Sequence, residues 1–201
     1  MIAIIDYGMG NLRSVQKSLE AAGARTQIVS SAKDLDSADK VVLPGVGAMK
    51  PAMDRLEELG LIEPIRSYVS SGKPFLGICL GFQLLFDRSS EGGDVQGLGI
   101  ISGDVRRFPN TVKVPQIGWN NLLLPNDASC MFQRMENDLF VYFCHSYYVV
   151  PKDETVISAW AQYGLRYAAA IQRENLWGVQ FHPEKSQGAG AVLLKNFVEI
   201  L

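Results

Sequence analysis

Cysteine is scarce in this 201-residue chain, with only Cys79, Cys130 and Cys144. An odd count at irregular spacing gives no disulfide framework, and no CxxC pair is there to found a zinc site. Histidine is scarcer still: His145 and His182 are the only two. Any reaction that needs an imidazole base must draw on one of them. Neither sign of charge is in excess, since 19 Lys and Arg stand against 21 Asp and Glu for a net charge of −2. Without a basic face, the chain lacks the electrostatic footprint of a nucleic-acid binder. No apolar run approaches the roughly 18 residues of a spanning helix. The opening "MIAIID" has no basic segment ahead of it and reads as a strand, not a secretory leader. No internal repeat or low-complexity linker divides the chain. These absences point to a reduced, cytoplasmic protein; 47% apolar and 20% charged residues are ordinary for one globular domain.

What is present alternates. "IAIID" ends at a glycine turn, and "NLRSVQKSLEAAG" opens with Asn11 at an N-cap position and closes on Gly23, a C′ residue. "TQIV" and "KVVLP" read as strands, "AMDRLEELG" and "IEPIRSYVSSG" as helices, "PFLGI" as a strand and "LGFQLLFD" as a helix. Strands alternating with helices imply a parallel sheet covered on both faces. From about residue 98 to 182 the runs look extended, with "REN" as a hairpin turn, and "GAVLLKNFVEIL" closes the chain as a helix. The expected architecture is one α/β domain over residues 1–201 with a mixed sheet, partly antiparallel in its second half.

The chemistry centres on "GICLGFQLL". Most free cysteines are small, inert core residues. Cys79, however, lies between a strand and a helix with Gly77 and Gly81 two residues to either side. That is the nucleophile-elbow pattern with Cys for Ser: small neighbours let strand and helix pack closely and push the central side chain out. A helix N-terminus favours the thiolate, and the Leu80 amide points the same way, able to hold an oxyanion.

A nucleophile needs a base. In "GVQFHPEK" Pro183 ends the strand ladder and biases His182 to an extended conformation. His182 and Glu184, two apart and roughly 7 Å at Cα, then face one side, so that the carboxylate orients the imidazole. A surface His-Pro-Glu turn is the bland alternative, weakened by the Cys elbow. His145, in "YFCHSYY", has no carboxylate near it in sequence and reads as a packed or pocket-lining residue. In "VVLPGVGAM", Gly45 and Gly47 follow a strand of the parallel half, where glycine lets a backbone N–H turn toward a developing negative charge. A simple tight turn is the competing reading.

"GICLG", "HPE" and "PGVG" together resemble the class I (triad) glutamine amidotransferases. The opening "IAIIDYGMGNLRSV", with "PQIGWN", "YFCHSYY" and "FHPEKS", is similar to the glutaminase subunits of imidazole glycerol phosphate synthase in histidine biosynthesis. The resemblance runs the length of the chain. It implies a flavodoxin-like α/β fold, its central sheet largely parallel and flanked by helices, with an antiparallel extension. It implies Cys79 as nucleophile, His182 as base and Glu184 as orienter, with the Val46 and Leu80 amides as oxyanion hole. Gly45, Gly47, Gln83, Ser146 and Tyr147 would bind the substrate glutamine, and Asn11, Trp119, Asn120 and Lys185 would face the partner, a (β/α)8-barrel cyclase that uses the ammonia. No cofactor, metal, nucleic acid or membrane is implied.

Other readings compete. A papain-like protease carries its Cys near the mature N-terminus, ahead of a distant His and Asn, which is not the order here. A flavodoxin-like binding module would need no pairing of elbow and HPE. Within the superfamily, the glutaminase of pyridoxal phosphate synthesis is the nearest alternative.

Overall fold

Runs of four buried residues with no polar alternation, such as Ile2–Ile5 and Phe75–Ile78, belong to strands covered on both faces. The structure, a computed structural model, describes residues 1–125, 129–135 and 139–200. Its first part runs β1 (Ile2–Ile5), α1 (Leu12–Ala21), β2 (Thr26–Val29), α2 (Ala32–Asp36), β3 (Lys40–Leu43), α3 (Met49–Glu58), α4 (Ile62–Ser70), β4 (Phe75–Ile78) and α5 (Leu80–Gln83). Strands then dominate: β5 (Phe86–Ser89), β6 (Val95–Gln96), β7 (Ile101–Arg107), β8 (Gln116–Asn121), β9 (Phe140–His145) and β10 (Tyr147–Pro151). β11 (Ile157–Tyr163), β12 (Leu165–Arg173), β13 (Leu176–Val179) and α6 (Gln187–Ile200) complete the chain, and the expected helix end at Leu201 lies outside the described residues.

The main sheet has the order β2-β1-β3-β4-β13-β12-β10-β7-β5-β6, with β11 added on β12. β2, β1, β3, β4 and β13 are mutually parallel. Beyond them most pairs are antiparallel, the extension expected of the second half. Alternate residues of β1 feed two apolar layers. Ala3 and Ile5 pack with Met49, Ala52 and Leu56 of α3 and Ile65 of α4. Ile2 and Ile4 pack with Val15 and Leu19 of α1 and Leu193, Leu194 and Phe197 of α6. Each of the Val, Leu, Ile, Met and Phe side chains among them, fully buried, contributes about 1.5–3 kcal/mol of transfer free energy.

Helix α1 ends as its sequence suggests: Gly23, at φ 95°, donates to Glu20 O while Ala24 donates to Leu19 O. Asn11 holds the N-cap position but makes no side-chain cap bond. One expectation is corrected. "LGFQLLFD" is not one helix: α5 is a single turn, and β5 begins at Phe86. The carbonyls of Leu84 and Leu85, which a longer helix would use, accept instead from Leu98 N (2.7 Å) and from Ile100 and Ile101 N (2.9 Å each). The run "LFVYFCHSYYVV", expected to be extended, forms two strands. β9 pairs with β8 in a separate antiparallel ribbon, and β10 joins the main sheet after Ser146.

Candidate functional site

The parallel strands end at one edge, and the site is built there. β13 is the parallel neighbour of β4, with Val179 opposite Ile78, so the residues that follow emerge side by side. Cys79 leaves β4 with its amide held by Val179 O (2.8 Å), and Gln180, Phe181 and His182 leave β13. This adjacency, with 100 residues of chain between the two strands' ends, brings Cys79 and His182 into one pocket of about 300 Å3. Two larger surface grooves, of about 640 and 680 Å3, include neither Cys nor His among their lining residues.

Cys79 sits on a strained bend, with φ 54° and ψ −107° in a side chain with a β-carbon. Its flanking glycines are sterically obligatory. A β-carbon on Gly77 would come within 2.9 Å of Gly81 O, and one on Gly81 within 1.8 Å of Leu43 O. The close packing read from "GICLG" is therefore real.

His182 precedes a 3-10 turn, Pro183–Lys185. The turn, not an extended strand, brings Glu184 back so that His182 Nδ1 donates to Glu184 Oε1 at 2.9 Å, both side chains buried. Burial alone would lower the imidazole pKa; the hydrogen bonding and charge of Cys79 and Glu184 outweigh it and push it up to about 10. His182 is thus held as imidazolium beside the sulfur. The backbone is pinned as well, His182 N donating to Tyr142 O (2.9 Å) and Ser186 Oγ to His182 O (2.6 Å).

His145 also lines the pocket, but as a neutral residue. Burial drives its pKa down to about 4, its Nδ1 bonds Tyr147 O at 2.7 Å, and Phe108, Phe143 and Tyr167 surround its ring. It is a packed, pocket-lining residue, as the sequence indicates.

The pocket wall also includes Val46, Gly47, Leu80, Gln83, Ser146, Tyr147 and Lys185. Gly45 lies buried behind it, where a β-carbon would meet Tyr7 Oη at 2.4 Å. The Leu80 amide donates to Gly45 O at 3.4 Å. Because the Gly45–Val46 peptide is trans, its N–H opposes its C=O, and the Val46 N–H points away from the Leu80 amide. Both N–H groups of the Gln83 amide are spent inside the protein, on Tyr147 O and Gln180 Oε1 (2.9 Å each), leaving its oxygen free to accept. Two residues escaped the sequence reading. Gln180, fully buried, donates to Cys79 Sγ at 3.8 Å; a lone amide in the apolar "GVQF" is the signal that could have found it. Glu91 lines the pocket from the loop after β5, where no local pattern marks it.

Asn11, Trp119 and Asn120 lie outside the pocket. Ile117, Trp119 and Phe140 fall on one face of the β8–β9 ribbon, 63%, 47% and 53% exposed, and together form an apolar surface beside the site. Lys185 Nζ stands 5.7 Å over the ring of Tyr142 on the same face. Asn120 is on the opposite face and donates to Gln162 O (2.9 Å).

The family model for glutamine amidotransferase class-I matches residues 3–201. The chain is 52% identical to the imidazole glycerol phosphate synthase subunit HisH of Syntrophotalea carbinolica, across 98% of both chains. It is 48% identical to the HisH subunit of Moorella thermoacetica, over 100% of this chain and 95% of the relative, and 52% identical to that of Aquifex aeolicus, over 96% and 94%. Among solved structures, a glutamine amidotransferase superposes with a TM-score of 0.76 over 98% of this chain and all of the other, at 16% identity. PurLQS from Thermotoga maritima gives 0.75 over 99% and 97%, at 18% identity. At such low identity these structures speak for the fold, while the family match and the curated relatives speak for descent. With a cysteine elbow and a His–Glu pair meeting at the edge of a parallel sheet, this chain belongs to the class-I glutamine amidotransferases.

Proposed function

We propose that the chain is the glutaminase subunit of an imidazole glycerol phosphate synthase. It hydrolyses glutamine to glutamate and ammonia and supplies the ammonia to a cyclase subunit, which makes imidazole glycerol phosphate and AICAR in histidine biosynthesis. The carrying observation is Cys79 and His182 in one pocket, with His182 bonded to the buried Glu184, in a chain about half identical to HisH subunits along its whole length. We take the cyclase to be a (β/α)8 barrel, residues 1–201 to act as a single domain, and the compartment to be the cytoplasm, where free thiols such as Cys79, Cys130 and Cys144 stay reduced. No helix among the described residues is long and apolar enough to cross a membrane.

In this reading the Cys79 thiolate attacks the side-chain carboxamide carbon of glutamine. Glu184 holds His182 Nδ1–H, so Nε2 faces the reacting atoms. The imidazolium gives its proton to the leaving nitrogen, the C–N bond breaks, and ammonia departs from a γ-glutamyl thioester. His182 then takes a proton from water, the resulting hydroxide adds to the thioester, and glutamate leaves as the thiolate re-forms. The amides of Leu80 and Val46 serve the oxyanion once Val46 has turned. Gly45, Gly47, Gln83, Ser146 and Tyr147 seat the substrate, and the Glu91 carboxylate suits its α-ammonium group. The cyclase docks on the apolar ribbon face with Trp119 and Lys185, flanked by Asn11. Asn120 shapes this face from behind through its bond to Gln162.

Glutamate release, measured for the isolated chain and for its complex with cyclase and the cyclase's nucleotide substrate, tests the reading. Turnover should be weak alone and rise strongly in the complex. Stimulation by a pyridoxal phosphate synthase subunit in place of the cyclase would move the chain to that system. Absence of glutamine hydrolysis under every condition would overturn the proposal.

The two residues of the pair should differ in cost. His182→Asn removes base and acid together and should lower kcat nearly as far as loss of the nucleophile. Glu184→Gln leaves the imidazole in place and only loosens its orientation, so its loss should be smaller. A His145→Asn variant more impaired than His182→Asn would reverse the assignment of the base.

A further inference from the structure

Tyr7, just past β1, is buried, and its hydroxyl has no hydrogen-bond partner among the described residues. An orphaned buried hydroxyl is costly and rare. It also lies at a telling place. A β-carbon on Gly45 would fall 2.4 Å from Tyr7 Oη, which puts the hydroxyl within roughly 4 Å of Gly45 Cα. Burial, and then the nearby Cys79 charge, raise the Tyr7 pKa, so the group stays protonated and able to donate.

Hydrogen-bond accounting around the Gly45–Val46 peptide gives the hydroxyl a task. As the structure stands, Gly45 O takes the Leu80 N–H and Tyr7 Oη is left over. When the peptide turns to aim the Val46 N–H at the oxyanion, Gly45 O gives up that donor and becomes a buried acceptor in need of another. We propose that Tyr7 is a positioning residue that donates its hydroxyl hydrogen to the turned Gly45 carbonyl and so stabilises the competent oxyanion hole. The orphaned donor in one state and the orphaned acceptor in the other satisfy each other. This rests on the oxyanion reading of Val46 and Leu80, and the test separates the two.

Tyr7→Phe removes one oxygen and keeps the ring. In the complex with cyclase and its nucleotide substrate, kcat for glutamine hydrolysis should fall roughly three- to ten-fold, the scale of one neutral hydrogen bond, with KM for glutamine within two-fold. The melting temperature of the isolated chain should hold or rise by about 2–4 °C, because the variant no longer buries an unpartnered hydroxyl. A role in packing alone would move kcat and melting temperature down together, and that outcome overturns the proposal. So does a Tyr7→Phe complex with wild-type kcat. In that case Val46→Pro in the same assay tells which idea fell: if Val46→Pro abolishes stimulation, only Tyr7 is misassigned, and if it does not, the oxyanion reading itself fails.

Discussion

Cys79→Ala will release no measurable glutamate from glutamine, a loss of at least about 10⁴-fold, and will melt within a few degrees of the wild-type chain. The size of the loss follows from the proposed role: without the Cys79 sulfur no thioester forms at the elbow. The fold should survive because the side chain is small and the strained bend is imposed by its surroundings. Gly77 and Gly81 hold strand and turn together, and the Cys79 amide is bonded to Val179 O. The other thiols are controls. Cys130 Sγ is engaged with Gln172, and Cys144 is exposed on the outward face of the β8–β9 ribbon, so alanine at either should keep most of the activity. A glutamine-analogue alkylator should label Cys79 first. Retained turnover in Cys79→Ala, or first labelling at Cys144, would show that the elbow is not the reactive centre.

The elbow could be read from sequence because its cause is local. Two glycines at fixed offsets from a cysteine report a backbone approach that only glycine permits, and the structure shows the atoms they avoid. The His–Glu pair was legible for the same reason, although a 3-10 turn and not an extended strand closes it. What sequence does not carry is which strand lies beside which. β4 and β13 are adjacent only because the long excursion through β5 to β12 returns the chain to the gap beside β4, and no periodicity records that. The same limit explains the overlong reading of α5. "LGFQLLFD" is mostly apolar and has no proline, but the segment Leu98–Ile101 claims the carbonyls of Leu84 and Leu85 and ends the helix after one turn. Gly97 makes that approach possible, since a β-carbon there would lie 2.3 Å from Phe86 O. Tyr7, Gln180 and Glu91 belong with these cases, because each acquires its place from strands and loops that meet only in three dimensions.

Val46→Pro should cost at least about 10²-fold of the cyclase-stimulated kcat while changing KM for glutamine little, because losing one oxyanion donor typically costs 10²- to 10³-fold. A glutaminase that turned over freely would squander glutamine and lose ammonia to solvent, so an incomplete site in the isolated chain has a purpose. Under the oxyanion reading proposed above, two donors stand out of place. Gly45 O occupies the Leu80 amide, and the Val46 N–H faces away, so neither donor is presented to an oxyanion. Turning one peptide repairs both faults at once, freeing Leu80 as Val46 swings in. The chain around it suits such a turn. Any side chain at Gly45 would strike Tyr7 and Gly81, while Gly47 already sits at φ 98°, where other residues are strained. Val46 itself is 42% exposed at the mouth of the site. Proline deletes the N–H and leaves the turn nothing to deliver, whereas Val46→Ala keeps the N–H and should be stimulated like the wild type. If Val46→Pro responds normally to the cyclase and its nucleotide, or if the isolated chain is already as active as the complex, the peptide is not the gate.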